Sequence, residues 1–314
     1  MGITKQGPFR VPKLSENYPQ YGRLLAREAE KLVALPDFSD DRRLFILSDF
    51  GGEHNGADYA TYSILICSAD KRAVFEKKVK LLRLKYGLNV PWKEMAFKDL
   101  HYGPISRSLD DFLYIADNFI HGVLVTISID RRIQSLFDSN KKEAKDKIVE
   151  LFRNNDLGEW KRHESEKVLR ICHAISVFMS LVAYPNQNIL WLCDHDSINI
   201  DGNKRDFTHT QKIFYHCLAM YSDNRYEIYG FAKPFKRDAG TTDLLSLSDF
   251  SAGIIQEILQ CKLMKKDINL SNEKAKLAKW MGTESRFLTK VNLVFQEQED
   301  KDFGAGTVDI REIL

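Results

Sequence analysis

Four aspartates in this chain stand where an acid can face a ligand instead of bulk water. Asp49 closes the apolar run that starts at Leu44, and Gly51 and Gly52 after it let the backbone turn sharply and leave space beside the acid. Asp194 and Asp196 lie two apart at the end of a second apolar run, Asn188 to Cys193, so an extended chain projects both to one side of a sheet. Asp249 shares a helical face with Ser246, Ala252, Gly253 and Gln256, small neighbours that allow close approach to a sheet. Carboxylates gathered in one place raise one another's pKa unless a divalent cation compensates, so the set predicts a Mg²⁺ or Mn²⁺ cradle. Two such ions about 4 Å apart can activate water and stabilise the leaving oxygen of a phosphodiester.

Each acid alone also has a local reading, because Asp is common at strand ends and caps. Asp243, after Thr241 and Thr242, is read as the N-cap or first-turn acid of the last long helix, and Asp110, Asp111 and Asp130 take similar roles. His54, His101, His195 and His209 have no zinc-site spacing, which leaves His195 as a supporting residue between two acids. Asp49, Phe50 and Gly51 spell a kinase metal motif, but no Gly-rich loop, strand-borne lysine or His-Arg-Asp precedes them. No Walker loop or GxGxxG is present, which argues against nucleotide hydrolysis and dinucleotide redox chemistry.

The elements that must carry these acids alternate. Strands are expected at Leu44 to Asp49, Tyr59 to Cys67, Ala96 to Leu100, Gly122 to Ile129, Asn188 to Cys193 and Tyr226 to Phe231. Helices are expected at Tyr21 to Ala34, Ala69 to Tyr86, Ser106 to Phe119, Lys141 to Arg153, Glu164 to Val182, Thr208 to Tyr221 and Leu244 to Cys261. The first two strands read as an antiparallel hairpin and the later, helix-crossed ones as parallel, which predicts an α/β sandwich on a mixed sheet. Residues 1–42 read as an N-terminal extension, 43–262 as the domain, and 263–314 as a charged, helical or loop-like tail packed on the domain or a partner.

With 314 residues, 44% hydrophobic and 29% charged, the chain is long enough for a substantial core. Lys and Arg total 46 against 44 acids, so a globally basic nucleic-acid binder is excluded and any charged partner must meet a local patch. Candidate patches are Arg131 and Arg132, Lys141 to Lys147, Lys161 and Arg162, Lys262 to Lys266, and the aromatic-basic stretch from Tyr226 to Arg237. No apolar run approaches the roughly 20 residues of a bilayer helix, and no secretory signal is visible, so cytoplasmic residence is expected. The five cysteines, Cys67, Cys172, Cys193, Cys217 and Cys261, never form a CxxC pair and read as reduced core residues.

The order of elements, with LFILSDFGG (Leu44 to Gly52), ILWLCDHD (Ile189 to Asp196) and LLSLSDFSAG (Leu244 to Gly253), resembles the ribonuclease-H-like fold. More narrowly, it is similar to the domain-of-unknown-function 3800 group over residues 43 to 262. That resemblance implies a ribonuclease-H-like mixed sheet in which Asp49, one or both of Asp194 and Asp196, and Asp249 bind Mg²⁺ or Mn²⁺. Lys98, in FKDL, resembles the family's lysine-bearing segment and is a candidate phosphate contact. The implied activity is a metal-dependent nuclease or phosphodiesterase acting on DNA or RNA. The chain departs from the family where Phe50 and Gly51 replace an acid and a serine and where Ser248 replaces an alanine. These departures motivate an alternative: a catalytically silent module that binds nucleic acid, a protein partner or its own copies within a bacterial antiphage-defence or mobile-element complex.

Overall fold

The computed structural model describes residues 14–89, 92–137, 143–194, 196–202, 204–232, 239–264, 269–298 and 302–310. In chain order the elements are α1 (Gln20–Glu30), β1 (Arg43–Gly51), β2 (Tyr59–Ser68), α2 (Ala73–Tyr86), a 3₁₀ turn (Phe97–Asp99), α3 (Gly103–Phe119) and β3 (Gly122–Asp130). They continue with α4 (Ala144–Asn154), α5 (Arg162–Val182), β4 (Asn188–Cys193), α6 (Phe207–Tyr221), β5 (Ile228–Ala232), α7 (Ala239–Leu263), α8 (Asn272–Gly282), β6 (Leu288–Glu297) and β7 (Phe303–Thr307). The expected α/β architecture on a mixed sheet forms, with seven strands in the order β5-β4-β1-β2-β3-β6-β7.

β1, β2 and β3 make an antiparallel meander; β4 lies parallel to β1, β5 parallel to β4, and β6 parallel to β3, while β7 returns antiparallel to β6. β3 is buried at every position because helices cover both sheet faces. One face, with Ile46, Ile64, Val125 and Trp191, packs on α1, α4, α5 and α6. The opposite face, with Leu47, Leu65, Leu124 and Leu192, packs on α2, α3, α7 and α8. Alternation along the strands therefore sends Asp49, two residues after Leu47, toward the α7 side.

α7 crosses β1, β2 and β3 on its small residues: the Ser248 hydroxyl donates to the Leu47 carbonyl at 3.2 Å, and the Ser251 hydroxyl bonds that of Thr126. Among the described residues, no helix is long and apolar enough to cross a membrane. The cysteines are free, Cys261 half-buried and the other four buried.

Several expectations are corrected. Residues 263–314 are not a helical or loop-like tail; they supply α8 and two strands, and the sheet runs past the boundary expected at residue 262. Without β6, the wholly buried β3 would be an exposed sheet edge, so the alternating Val291, Leu293 and Phe295 complete the core. The N-terminal extension is likewise no appendage, since Tyr21, Leu25, Ala26 and Ala29 of α1 are buried in the core. The strand expected at Ala96 to Leu100 is instead the 3₁₀ turn, held on α7 rather than paired in the sheet. Asp243 is not a cap: α7 begins earlier, at Ala239, and Asp243 is buried against Arg83.

Candidate active site

Asp49 sits at the end of β1, where Phe50 N–H donates to its Oδ1 at 2.9 Å. The turn that follows needs its glycines. Gly52 is left-handed at φ +77°, and a Cβ there would clash with the Tyr59 carbonyl oxygen. Gln260 of α7 holds the loop end, accepting Asp58 N–H at 2.9 Å.

Asp249 faces Asp49 from α7, and Phe97 N–H of the 3₁₀ turn donates to its Oδ2 at 2.6 Å. One helical turn on, a Cβ at Gly253 would come within 2.5 Å of the Phe97 ring, so this glycine lets the 3₁₀ turn lie flat on α7. The two acids, two hundred residues apart in sequence, are thus brought together by a strand end, a helix and a turn. Burial, then the Asp249 charge, pushes Asp49 up to about 8, against the Phe50 N–H; Asp194 and Asp196 raise it further. Burial pushes Asp249 up to about 6, with Phe97 N–H opposing and Glu94 and Asp194 adding to the rise. The two acids titrate as an interacting pair, each raised by its surroundings.

Asp194 leaves β4 on the same sheet side, two residues after Leu192. It lines a hollow of about 240 Å³ together with Asp49, Asp249, Glu94 and Lys98. Lys98, the candidate phosphate contact, lines the same hollow. Glu94 is the member that sequence reasoning missed; burial and then Asp194 raise its pKa, while Lys98 lowers it. Its one signal in the sequence is its position four residues before Lys98. On the other side of the carboxylate pair a wider hollow of about 610 Å³ is bounded by Phe50, His54, Gln256 and Met264.

Asp196 does not join the hollow, because the strand ends at Cys193 and the chain turns. Asn199 closes that turn, donating to the carbonyls of Cys193 at 3.2 Å and Asp194 at 2.7 Å. Asp196 Oδ1 accepts Ile198 N–H at 3.0 Å, and its Oδ2 accepts the Lys167 ammonium at 2.6 Å. Lys167, only 7% exposed, also pairs with Glu53 of the loop after β1 and lies 5.2 Å from the Phe50 ring centroid. It therefore ties together the two loops that begin at Asp49 and Asp194. Despite burial, which opposes it, Asp196 and Glu53 hold the Lys167 pKa above its ordinary value.

His195, Lys265, Lys266 and residues 233–238 of the aromatic-basic stretch lie outside the described residues. His209 completes the capping box of α6 with Asp206.

Among the described residues, no group of three or more His, Cys, Asp and Glu stands as a ready-made metal site. The donor set around the small hollow is nonetheless all oxygen, the chemistry that hard divalent cations prefer. A cation there would relieve the crowding of Asp49 against Asp249. No family model, curated protein or solved structure matches this chain.

Proposed function

We propose that the chain is a ribonuclease-H-like, divalent-metal-dependent phosphodiesterase that cleaves nucleic acid. The mixed sheet supports the fold assignment: β1-β2-β3 run antiparallel, β4 and β5 continue parallel beside β1, and a helix-flanked mixed sheet is what the sequence resemblance implies. One observation carries the functional reading. Asp49 and Asp249, both half-buried, face each other with backbone N–H groups as hydrogen-bond donors, and both open onto a hollow shared with Asp194 and Glu94. Uncompensated, perturbed acids in a cleft are what a catalytic site needs and what a structural ion pair avoids.

In this reading Asp49 and Asp249 hold Mg²⁺ or Mn²⁺, with Asp194 completing the oxygen donors. When bound, the cation supplies Lewis-acid activation of water and charge neutralisation at the phosphate. Glu94, whose pKa is raised, is placed to accept a proton from the attacking water. Lys98 meets a non-bridging phosphate oxygen. Asp196, engaged by Lys167, positions the β4 loop instead of binding the ion.

A second reading, a silent module that docks nucleic acid or a protein partner, is favoured by Phe50. Its ring packs edge-on to Tyr62 at 5.7 Å, so it brings no donor where the resembled motif carries an acid. Incubating the full chain with single- and double-stranded DNA and RNA in Mg²⁺ or Mn²⁺ separates the two. Cleavage that falls at least about 100-fold in both Asp49→Asn and Asp249→Asn supports the enzyme. Undiminished cleavage in Asp49→Asn overturns this site, and failure of Mn²⁺ to bind by calorimetry favours the silent module.

A further inference from the structure

The carboxylate pair has a hollow on each side, and the two are built for different chemistry. The smaller, of about 240 Å³, holds Lys98 beside the acids. The wider, of about 610 Å³, shares Asp49, Asp249 and Phe97 with it, so a substrate chain lying across the acids passes from one into the other. Among the described residues that line the wider hollow there is no lysine or arginine, and Glu257 in its wall is taken up by Lys274 at 2.7 Å. A second phosphate there would meet carboxylates with no cation to offset them, whereas an uncharged flat group would meet Phe50, Phe97, Ala252 and Met264. The volume is that of a small-molecule site. Resting on the phosphodiesterase reading, we infer that the wider hollow takes the unpaired base of the nucleotide beside the scissile phosphate. Single-stranded nucleic acid is then the substrate class, and Gln256 is the residue that reads the base.

Gln256 is placed for that part. It is half-buried on α7, three residues beyond Gly253. Its Oε1 lies over Gly51, where an added Cβ would stand 3.0 Å from it, so the glycine lets the amide rest against the loop. Its Nε2 is 3.5 Å from His54 Nε2, a contact long enough for a base edge to replace. Gln260, one turn on, is by contrast committed to the loop, since both of its amide atoms bond Asp58. A side-chain amide offers a donor and an acceptor side by side, the pattern that matches a base edge. A base within a duplex is stacked and paired, so it must leave the stack to enter such a recess, a cost that a single strand does not carry.

Binding to the full chain is measured by fluorescence anisotropy in Ca²⁺. The probes are a labelled strand of mixed sequence, as DNA and as RNA, the matching duplexes, and abasic strands of equal length. The abasic strand keeps the phosphate charge, so its difference from the normal strand isolates the bases. The better-bound single strand is expected to exceed both its duplex and its abasic counterpart at least about tenfold in affinity. Gln256→Ala is expected to weaken the single strand about fivefold or more and to leave the abasic strand unchanged, a split that misfolding would not produce. Equal affinity for strand and duplex, or for strand and abasic strand, overturns the inference without recourse to a variant. A base-dependent affinity that Gln256→Ala leaves intact overturns the role of Gln256. Such results alongside cleavage that is lost in Asp49→Asn would leave the carboxylate reading standing, whereas absence of binding to every strand would end both.

Discussion

Asp243 and Asp249 stand less than two turns apart on α7, yet the fold treats them in opposite ways. Asp243 is clamped by Arg83, whose Nε donates to both carboxylate oxygens at 2.9 and 3.1 Å while the side chains are 3% and 2% exposed. The same guanidinium reaches the carbonyls of Leu88 at 3.2 Å and Lys93 at 2.8 Å, joining α2, α7 and the chain that leads to Glu94. Asp249, half-buried beside the hollow, meets another acid. A compensated acid fastens elements together; an uncompensated one is a standing cost that only a bound cation or a proton relieves. The contrast separates scaffold from site on a single helix, and the Arg83 clamp fixes the segment on which Glu94 and Lys98 approach the acids.

The largest effect is expected where the compensated pair is broken. Asp243→Ala leaves the Arg83 charge buried without its partner and should cost about 3–5 kcal/mol in urea denaturation. Replacing both, as Arg83→Met with Asp243→Leu, should return much of that loss, since no charge then remains to be solvated. A loss below about 1 kcal/mol in Asp243→Ala would mean that the two acids differ less than their surroundings indicate.

The uncompensated pair predicts the opposite sign. The Asp49 pKa is raised on folding, so its contribution to stability is fully present below the unfolded carboxylate value near 4. It is lost progressively as pH rises toward about 8, because the folded state must hold a proton that the unfolded state has released. Asp49→Asn lacks this liability. It should match the parent near pH 4 and exceed it by about 1–3 kcal/mol at pH 8, read from denaturation midpoints across that range. A variant destabilised at pH 8 would make Asp49 a scaffold residue like Asp243.

Parts of this contrast are legible from the chain itself. An apolar run ending in Asp49 before two glycines, and an acid among small residues at Asp249, are local patterns that survive folding unchanged. Two-residue alternation also places Asp194 correctly, but it fails at Asp196, because parity lasts only while the chain stays extended and Asn199 folds it into a turn. Glu94 lies in a segment with no helical or strand period, so nothing but tertiary contact reveals it. β6 is obscured for a different reason: Lys290, Gln296 and Glu297 interrupt its apolar alternation, and Lys290 is tolerated by pairing with Asp117 at 3.2 Å. The role of Asp243 depends on Arg83, a partner 160 residues away, which local capping rules cannot see.

The smallest effect tests what holds Asp249 in place. At Gly253 an added methyl would press on the Phe97 ring at 2.5 Å, and because Phe97 is only half-buried the 3₁₀ turn can lift away. Gly253→Ala should therefore cost about 1 kcal/mol, the low end for overpacking. Lifting the turn withdraws the Phe97 N–H that stabilises the ionised form of Asp249, so the Asp249 pKa should rise further. Carboxyl titration by ¹³C NMR would register that rise, along with displacement of Lys98 from the hollow. If Gly253→Ala is destabilised but the Asp249 titration is unmoved, the glycine serves packing alone, and the placement of Asp249 must come from the serine contacts of α7 with the sheet.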